Sequence, residues 1–221
     1  MPDTRKNNNT KITPKDENVN VAKNQNTINM YWEDKFDVDD LNDRRLYINS
    51  DIDESIISTI VYHILRYNRE DKNIPVSKRK PIRLYINTCG GSVFSGMGLV
   101  DAIISSKTPV YTINQAMCAS MGFYIFIAGT KRYSMPNATF LMHDGQTMIG
   151  DSNSKLKDFM KFIEDDFDRV IKEHVITRTK ISEDVYANKY RVEWYFLPQK
   201  AKELGVVDYI ISEDCPIDDI L

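Results

Sequence analysis

One six-residue pattern occurs twice in the chain and limits the folds that the chain can adopt. Residues 45–50 read Arg-Leu-Tyr-Ile-Asn-Ser, and residues 83–88 read Arg-Leu-Tyr-Ile-Asn-Thr. Each is a short, β-prone run closed by polar residues, and residues 56–67 between them carry apolar side chains at helical spacing. Strands that alternate with helices form parallel sheets through right-handed crossovers. The repeat therefore predicts an α/β fold.

Later segments continue this alternation. A helix is predicted over residues 94–105, a third strand over 110–114 and a fourth over 138–142. A long amphipathic helix is predicted over residues 155–175, where apolar residues recur every three or four positions. Three polar residues lie at the predicted strand ends: Asn87, Asn114 and His143. Because the carboxyl ends of parallel strands share one edge of the sheet, we expect their loops to meet there.

Composition excludes several classes of protein. The chain has 221 residues and a formal net charge of −3, without a long Lys/Arg block, which argues against binding to nucleic acid or membrane. Its three cysteines are widely spaced and predict neither a disulfide framework nor a metal site. No apolar run is long enough for a membrane span, which needs about 18 residues. These features predict a soluble, cytoplasmic protein.

The polar N-terminal segment differs from the rest of the chain. Residues 1–29 contain almost no large apolar side chains, so burial cannot offset the entropy of ordering them. We predict a flexible arm over residues 1–29 and one folded domain over residues 30–221. Residues 31–36, Tyr-Trp-Glu-Asp-Lys-Phe, form a candidate docking segment at the start of that domain.

Small residues around one hydroxyl indicate a candidate nucleophile. Ser120 is preceded by Ala119, Gly122 follows closely, and an apolar helical run comes next. A serine in such a setting is accessible to substrate, and the backbone N–H groups of the helix start can point at the same spot. His143 follows the fourth predicted strand and is the candidate base. A serine at a helix start near a core histidine is the structural alternative.

The loop after the second strand contains two adjacent glycines, Gly90 and Gly91. Glycines at this place allow a sharp turn and leave N–H groups open to a peptide backbone or an oxyanion. The loop has neither a Walker lysine nor dinucleotide-type glycine spacing, so it does not predict phosphate binding. We expect Gly90, Ser92 and Val93 to bind substrate. A tight strand-to-helix turn without a ligand is the alternative.

The ordered set of Gly-Gly-Ser-Val, Ala-Ser-Met-Gly, Met-His and a long helix resembles the proteolytic subunit of the Clp protease, a serine peptidase family with a ClpP/crotonase-like spiral fold. The resemblance covers about residues 45–211. It implies that Ser120 is the nucleophile and His143 the base, and that the N–H groups of Gly91 and Met121 form the oxyanion hole. His63 and His174 lie in predicted helices and are expected to be structural.

The third triad position departs from the family pattern. Family members have Asp before an aromatic pair, and the matching position here is Glu193, followed by Trp194 and Tyr195. A glutamate can orient a histidine in a serine hydrolase. Its extra methylene shifts the carboxylate by more than about 1 Å. Glu193 is therefore the predicted orienting acid, with Asp184 as a substitute and a defective triad as the remaining alternative.

The resemblance also implies an assembly. In this family the long helix is the handle that joins two heptameric rings into a tetradecamer, and an ATP-driven AAA+ unfoldase delivers unfolded proteins to the enclosed sites. The resemblance implies no metal and no cofactor for this chain, because only the unfoldase uses ATP. Members of the family have a Tyr-x-Tyr pair that contributes to the docking pocket for the unfoldase, and the corresponding residues here are Arg83, Leu84 and Tyr85. The family also has a proline before the two glycines, where this chain has Cys89.

Three other functions remain compatible with these motifs. A catalytically weakened subunit could serve assembly or partner choice, and a phage prohead-type protease would share both fold and chemistry. An acyl-CoA-binding crotonase-type enzyme would share the spiral of strand-helix units and the oxyanion loops. The Ser120 and His143 pair argues against the last of these.

Overall fold

The computed structural model of the chain describes residues 38–145 and 152–221. Contacts divide the chain into two units, Met1–Asn42 and Asp43–Leu221. In the first unit only residues 38–42 are described, and they are helical. The predicted arm and the docking segment at residues 31–36 lie outside the described residues, so both stay predictions.

The second unit confirms the predicted α/β fold. The two copies of the repeat form β1 (Arg45–Ile48) and β2 (Ile82–Thr88), which pair in parallel with each repeated residue beside its counterpart, from Arg45 with Arg83 to Ile48 with Ile86. Between them lie a π-helical turn, Ile57–Val61, and α1 (Tyr62–Glu70). Buried aliphatic side chains of both strands face helices across the core.

The remaining strands extend this sheet. The next elements are α2 (Val93–Ser105), β3 (Val110–Ala119), α3 (Met121–Ile127), β4 (Lys131–Ser134) and β5 (Thr139–Met142). The parallel order is β1-β2-β3-β4-β7, where β7 is Tyr209–Ile210, and β5 also pairs in parallel with β3. A short strand, β6 (Trp194–Phe196), pairs antiparallel with β5. The sheet thus places β3, β5 and β6 side by side.

The prediction that Asn114 ends its strand is wrong. β3 continues to Ala119, and Asn114 is buried in its middle, where its side-chain amide donates to the Thr139 carbonyl (3.0 Å). At this point β3 changes neighbours, since it pairs with β4 up to Asn114 and with β5 from Met117 onward. The Asn114 side chain therefore supplies a hydrogen bond to a backbone carbonyl where β3 changes its partner strand. It does not belong to the loops at the edge of the sheet.

The long helix is present, with one irregularity. It consists of α4 (Asn153–Phe162), a π-helical turn (Ile163–Phe167) and α5 (Asp168–Arg178). Two shorter helices follow, α6 (Glu183–Lys189) and α7 (Pro198–Glu203). The described chain closes with a 3-10 helix, Ile217–Ile220. No helix among the described residues is long and apolar enough to cross a bilayer.

Candidate active site

Ser120 lies in a sharp turn between β3 and α3. Its φ is 53° and its ψ is −122°, a backbone conformation that residues with a side chain rarely adopt. The turn is held on both sides, because the Ser120 N–H donates to the Leu141 carbonyl (3.0 Å) and the Phe123 N–H donates to the Ser120 carbonyl (3.0 Å). The serine is half-buried and lines a cavity of about 360 Å³. The fold therefore presents this serine to a cavity from a strained backbone position.

The glycine loop packs directly against this turn. Gly90 and Gly91 have φ values of +112° and +139°, which favour glycine. A Cβ on Gly90 would lie 2.6 Å from the Cβ of Ser120, and one on Gly91 would overlap the carbonyl oxygen of Ile52. Both positions therefore require glycine, and the loop is held between Ser120 and Ile52.

Ile52 fixes the orientation of the Gly91 amide. It forms a short parallel bridge with the loop, in which its N–H donates to the Gly90 carbonyl (2.8 Å) and its carbonyl accepts from the Ser92 N–H (2.6 Å). In a parallel bridge the residue between these two bonds directs its own N–H to the other side. The Gly91 N–H therefore points away from Ile52.

The predicted oxyanion donors lie along the cavity. Met121 is the first residue of α3, so its N–H has no acceptor within the helix. Gly91 and Met121 line the cavity together with Ser120. Of the predicted substrate-binding residues, Ser92 and Val93 also line it, whereas Gly90 packs against the serine. Ser120 and the two residues predicted to supply the oxyanion donors thus border one space.

The sheet brings His143 and Glu193 together. His143 directly follows β5 and Glu193 directly precedes β6, and the antiparallel pair Met142 and Trp194 lies next to them. The Nδ1 atom of His143 is 2.8 Å from Oε1 of Glu193. An ionised carboxylate only accepts hydrogen bonds, so Nδ1 carries the proton and Nε2 of the neutral ring carries a lone pair. That Nε2 atom is buried and has no hydrogen-bond partner among the described residues.

Two tyrosines that the sequence analysis did not identify support this pair. The Tyr195 hydroxyl bonds to the Glu193 carboxylate, and this bond raises the tyrosine pKa. Alternate residues of a strand share a face, so the position of Tyr195 two residues after Glu193 could have revealed it. The Tyr124 hydroxyl donates to the His143 carbonyl (3.2 Å). Nothing in the local sequence signals this second contact.

The other candidate acid and bases lie elsewhere. Asp184 is exposed in the first turn of α6. His174 is buried and its Nε2 is 2.9 Å from the Tyr124 carbonyl oxygen, while burial lowers its pKa. His63 packs at a tilted angle on Tyr67, with ring centroids 6.2 Å apart. In the described ranges, no group of three His, Cys, Asp or Glu residues is placed to hold a metal ion.

Arg83 and Cys89 depart from the pattern noted in the sequence, and Arg83 is half-buried in β2, two residues before Tyr85. Cys89 is exposed beside the loop. Tyr85 is buried, and its hydroxyl donates to the carbonyl of Ile220 in the final 3-10 helix. Around it lies an apolar cluster that also contains Ile113, Tyr133, Ile211 and Ile220. The C-terminal residues therefore cover the side of the sheet on which the Tyr85 ring lies.

A strained serine that shares a cavity with Gly91, Met121 and a histidine held by a carboxylate resembles the arrangement found in serine hydrolases. The sequence model described as Clp protease matches residues 31–214, and the chain belongs to the Clp protease family.

Curated relatives agree with this assignment. An ATP-dependent Clp protease proteolytic subunit 2 from Nocardia farcinica is 30% identical, over 78% of this chain and 82% of the relative. Proteins of the same description from Rhodococcus jostii and Tropheryma whipplei are 30% and 31% identical, over 78% of this chain and 86% and 93% of their own lengths. The similarity therefore spans most of each protein.

Proposed function

We propose that the chain is a serine-type endopeptidase, the proteolytic subunit of an ATP-dependent Clp-type protease. The observation that carries the proposal is the 2.8 Å contact between His143 Nδ1 and Glu193, because it orients a histidine that lines the same cavity as Ser120. The descriptions of the relatives support the ATP-dependent context. Within this proposal, Ser120 is the nucleophile, His143 the base and Glu193 the orienting acid.

The reaction begins with attack of the Ser120 oxygen on a peptide carbonyl carbon, while Nε2 of His143 takes the hydroxyl proton. The negative charge on the carbonyl oxygen is stabilised by the N–H groups of Gly91 and Met121. One such donor typically lowers the barrier by about 3 kcal/mol. His143 then passes its proton to the amine as the C–N bond breaks. Water, deprotonated by the same histidine, attacks the acyl carbon, the bond between that carbon and the Ser120 oxygen breaks, and His143 returns the proton to this oxygen.

The proposal includes an assembly and a partner. Helices α4 and α5 carry exposed apolar residues, among them Met160, Phe162 and Val170, that an isolated subunit leaves in water. We place the contact between two stacked heptameric rings at this helix. The rings would enclose Ser120, so that unfolded proteins reach it only when an AAA+ unfoldase delivers them. Arg83 stands where the family has a tyrosine of the unfoldase-docking pocket, and a charged side chain there would weaken an apolar pocket, so we propose that the usual unfoldase binds poorly or that a different one is used.

The proposed reaction needs only the side chains of Ser120, His143 and Glu193, the two backbone N–H donors and water. We therefore propose no cofactor and no metal for this chain. ATP belongs to the unfoldase. Nucleic acid and membrane are not proposed as partners. The cytoplasm is the proposed location, because unfolded intracellular chains and ATP are both present there.

A labelling experiment tests the nucleophile. A fluorophosphonate should modify the assembled protein at Ser120, and Ser120→Ala should abolish both the label and the hydrolysis of a short fluorogenic peptide. Ser58→Ala is a matched control, since this serine is exposed and does not line the cavity. The mass of the assembly, measured on the same samples, shows whether rings have formed. Unlabelled wild-type rings would contradict the proposal.

A further inference from the structure

The cavity beside Ser120 combines apolar walls with negative charge. Its walls come from α2 and from the long helical segment, and they are lined by Val93, Phe94, Phe159, Ile163, Phe167 and Ile171. The Phe94 ring lies 5.4 Å from that of Phe167 and 6.4 Å from that of Phe159, centroid to centroid. Two carboxylates, Asp144 and Asp168, also line the cavity. No described residue of the lining is a lysine or an arginine.

Asp168 is held in place at this cavity. It is the first residue of α5, directly after the π-helical turn, and it is half-buried. The Tyr190 hydroxyl donates to its Oδ1 atom (3.1 Å), and Tyr190 itself lines the cavity. A tyrosine donor that fixes one carboxylate oxygen leaves the negative charge of the group uncompensated. The carboxylate is therefore oriented without a cationic partner in the described lining.

The two carboxylates contribute to the raised pKa values of neighbouring tyrosines. The pKa of Tyr190 is raised by burial first, and then by the charge of Asp168 and its hydrogen bond. The pKa of the buried Tyr124 is also raised, chiefly by burial, with Tyr190, Asp144 and Asp168 adding to the shift. The charges of Asp144 and Asp168 thus act on a tyrosine deep in the cavity wall.

An apolar space with uncompensated carboxylates fits a side chain that has an apolar stem and a cationic end. An aliphatic side chain of the same length would satisfy the walls but would remove water from Asp168 without pairing it, which is unfavourable. Lysine and arginine bury their methylene groups and keep their charged ends at polar groups. Both features of the cavity are met only by these two residues.

We propose that this cavity receives the side chain of the residue whose carbonyl Ser120 attacks, and that Asp168 makes it selective for lysine and arginine. The inference rests on the proposed function, since it assigns a substrate class to the same site. Ser120, Gly91 and Ser92 line the cavity, so the acyl residue of a bound peptide lies at its mouth. Asp168 is a specificity-determining residue and takes no part in the proton transfers.

Matched peptides provide the test. Fluorogenic peptides that differ only in the residue before the cleaved bond should be compared, with lysine in one and norleucine, its uncharged analogue, in the other. We expect kcat/KM for lysine to exceed that for norleucine by about 10- to 100-fold, which corresponds to about 1.4–2.8 kcal/mol. Asp168→Asn keeps an acceptor for Tyr190 and should remove most of this preference, because kcat/KM falls for lysine and rises for norleucine, which no longer covers an unpaired charge.

A control variant and a second probe separate the possible failures. Asp165→Asn makes the same change on an exposed residue of the π-helical turn and should keep the lysine preference. Equal hydrolysis of both peptides, or an unchanged preference in Asp168→Asn, would overturn the specificity and leave the proposed peptidase intact. Phosphonate probes carrying lysine or norleucine should label Ser120 with the same preference. If neither peptide is cleaved and neither probe labels Ser120, both proposals fail.

Discussion

The two sides of the candidate site differ in what holds them. On the nucleophile side, Gly90, Gly91 and Ser120 are fixed by backbone hydrogen bonds and by contacts that exclude even a methyl group. On the acid side, His143 meets Glu193 through one contact between side chains, and the Glu193 side chain is 58% exposed. The proposed oxyanion donors are thus set by the backbone. The proposed base is oriented by a solvated carboxylate.

This difference separates two requirements of catalysis. Backbone donors that are fixed before substrate arrives need no reorganisation during the reaction. The packing around the glycine loop fixes these donors, so it helps to lower the activation barrier of the proposed reaction. A carboxylate in water is screened and has rotamer freedom, so it orients His143 less strongly than a buried one would. We therefore expect substitutions on the nucleophile side to have larger effects than those on the acid side.

The largest effect is expected from Gly91→Ala. The new Cβ would overlap the Ile52 carbonyl oxygen, and alanine would have to adopt a positive φ. The loop must therefore move, and the Gly91 N–H moves with it. Loss of one oxyanion donor lowers kcat by about 100- to 1,000-fold. The measurement is kcat for a short peptide, with circular dichroism to verify folding.

Gly98→Ala is the matched control for this change. Gly98 lies within α2, and its Cβ would meet only the end of the Ile57 side chain at 3.2 Å. Alanine also favours helix by about 1 kcal/mol over glycine. We expect activity within about twofold of wild type, because the helix keeps its place. Equal losses in Gly91→Ala and Gly98→Ala would refute a special role for the packed loop.

A smaller effect is expected at Glu193. Glu193→Gln removes the charge that holds the proton on Nδ1 of His143, and we expect kcat/KM to fall by about 10- to 100-fold, less than for a buried triad acid because water replaces part of the interaction. Glu193→Asp keeps the charge but withdraws it by about 1.5 Å, so a loss of about three- to tenfold is expected.

These two variants also test the alternative of a catalytically weakened subunit. Peptide hydrolysis should be measured in rings whose mass equals that of the wild type, so that assembly defects do not enter the comparison. Unchanged hydrolysis in both variants would show that Glu193 has no catalytic part. Ser120 and the glycine loop would then act with a His143 side chain whose orientation does not depend on an acid among the described residues.

The smallest effect is expected from Tyr195→Phe. The substitution removes the hydroxyl that bonds to the Glu193 carboxylate and leaves the ring on β6. Since both side chains are mostly exposed, water can take the place of the hydroxyl, and we expect a change in kcat/KM of about threefold or less. A loss as large as that of Glu193→Gln would show that the acid side is more rigid than its exposure indicates.

Sequence reasoning succeeded where a pattern was repeated or ordered. The duplicated strand predicted a parallel pair, and the structure places the two copies in register from Arg45 with Arg83 onward. The long helix was also predictable, because a wide apolar stripe persists over many turns. The geometry at Ser120 was predicted only in part. Its small neighbours indicate an accessible turn, but they do not indicate its backbone angles.

Other features left no usable pattern. The strands β4, β6 and β7 have two to four residues, and unlike β1, which is part of a repeat, and β5, which is an apolar run, they carry no pattern that indicates a strand. β3 was predicted to end at the polar residue Asn114, whereas the strand continues to Ala119 by changing its neighbour. The contact of Ile52 with the glycine loop and that of Tyr190 with Asp168 join distant segments. Such contacts depend on tertiary packing, which local sequence does not record.

The backbone of Ser120 has a consequence for how the chain can diverge. A residue with a side chain held at such angles costs about 1–3 kcal/mol, and glycine would relieve that cost. The free energy of folding therefore favours glycine at position 120. Only a requirement for the serine hydroxyl would disfavour a Ser120→Gly substitution. A subunit kept solely for assembly would be free to drift toward glycine here. If the proposed function is correct, the serine is retained at this position for its hydroxyl and at the expense of stability.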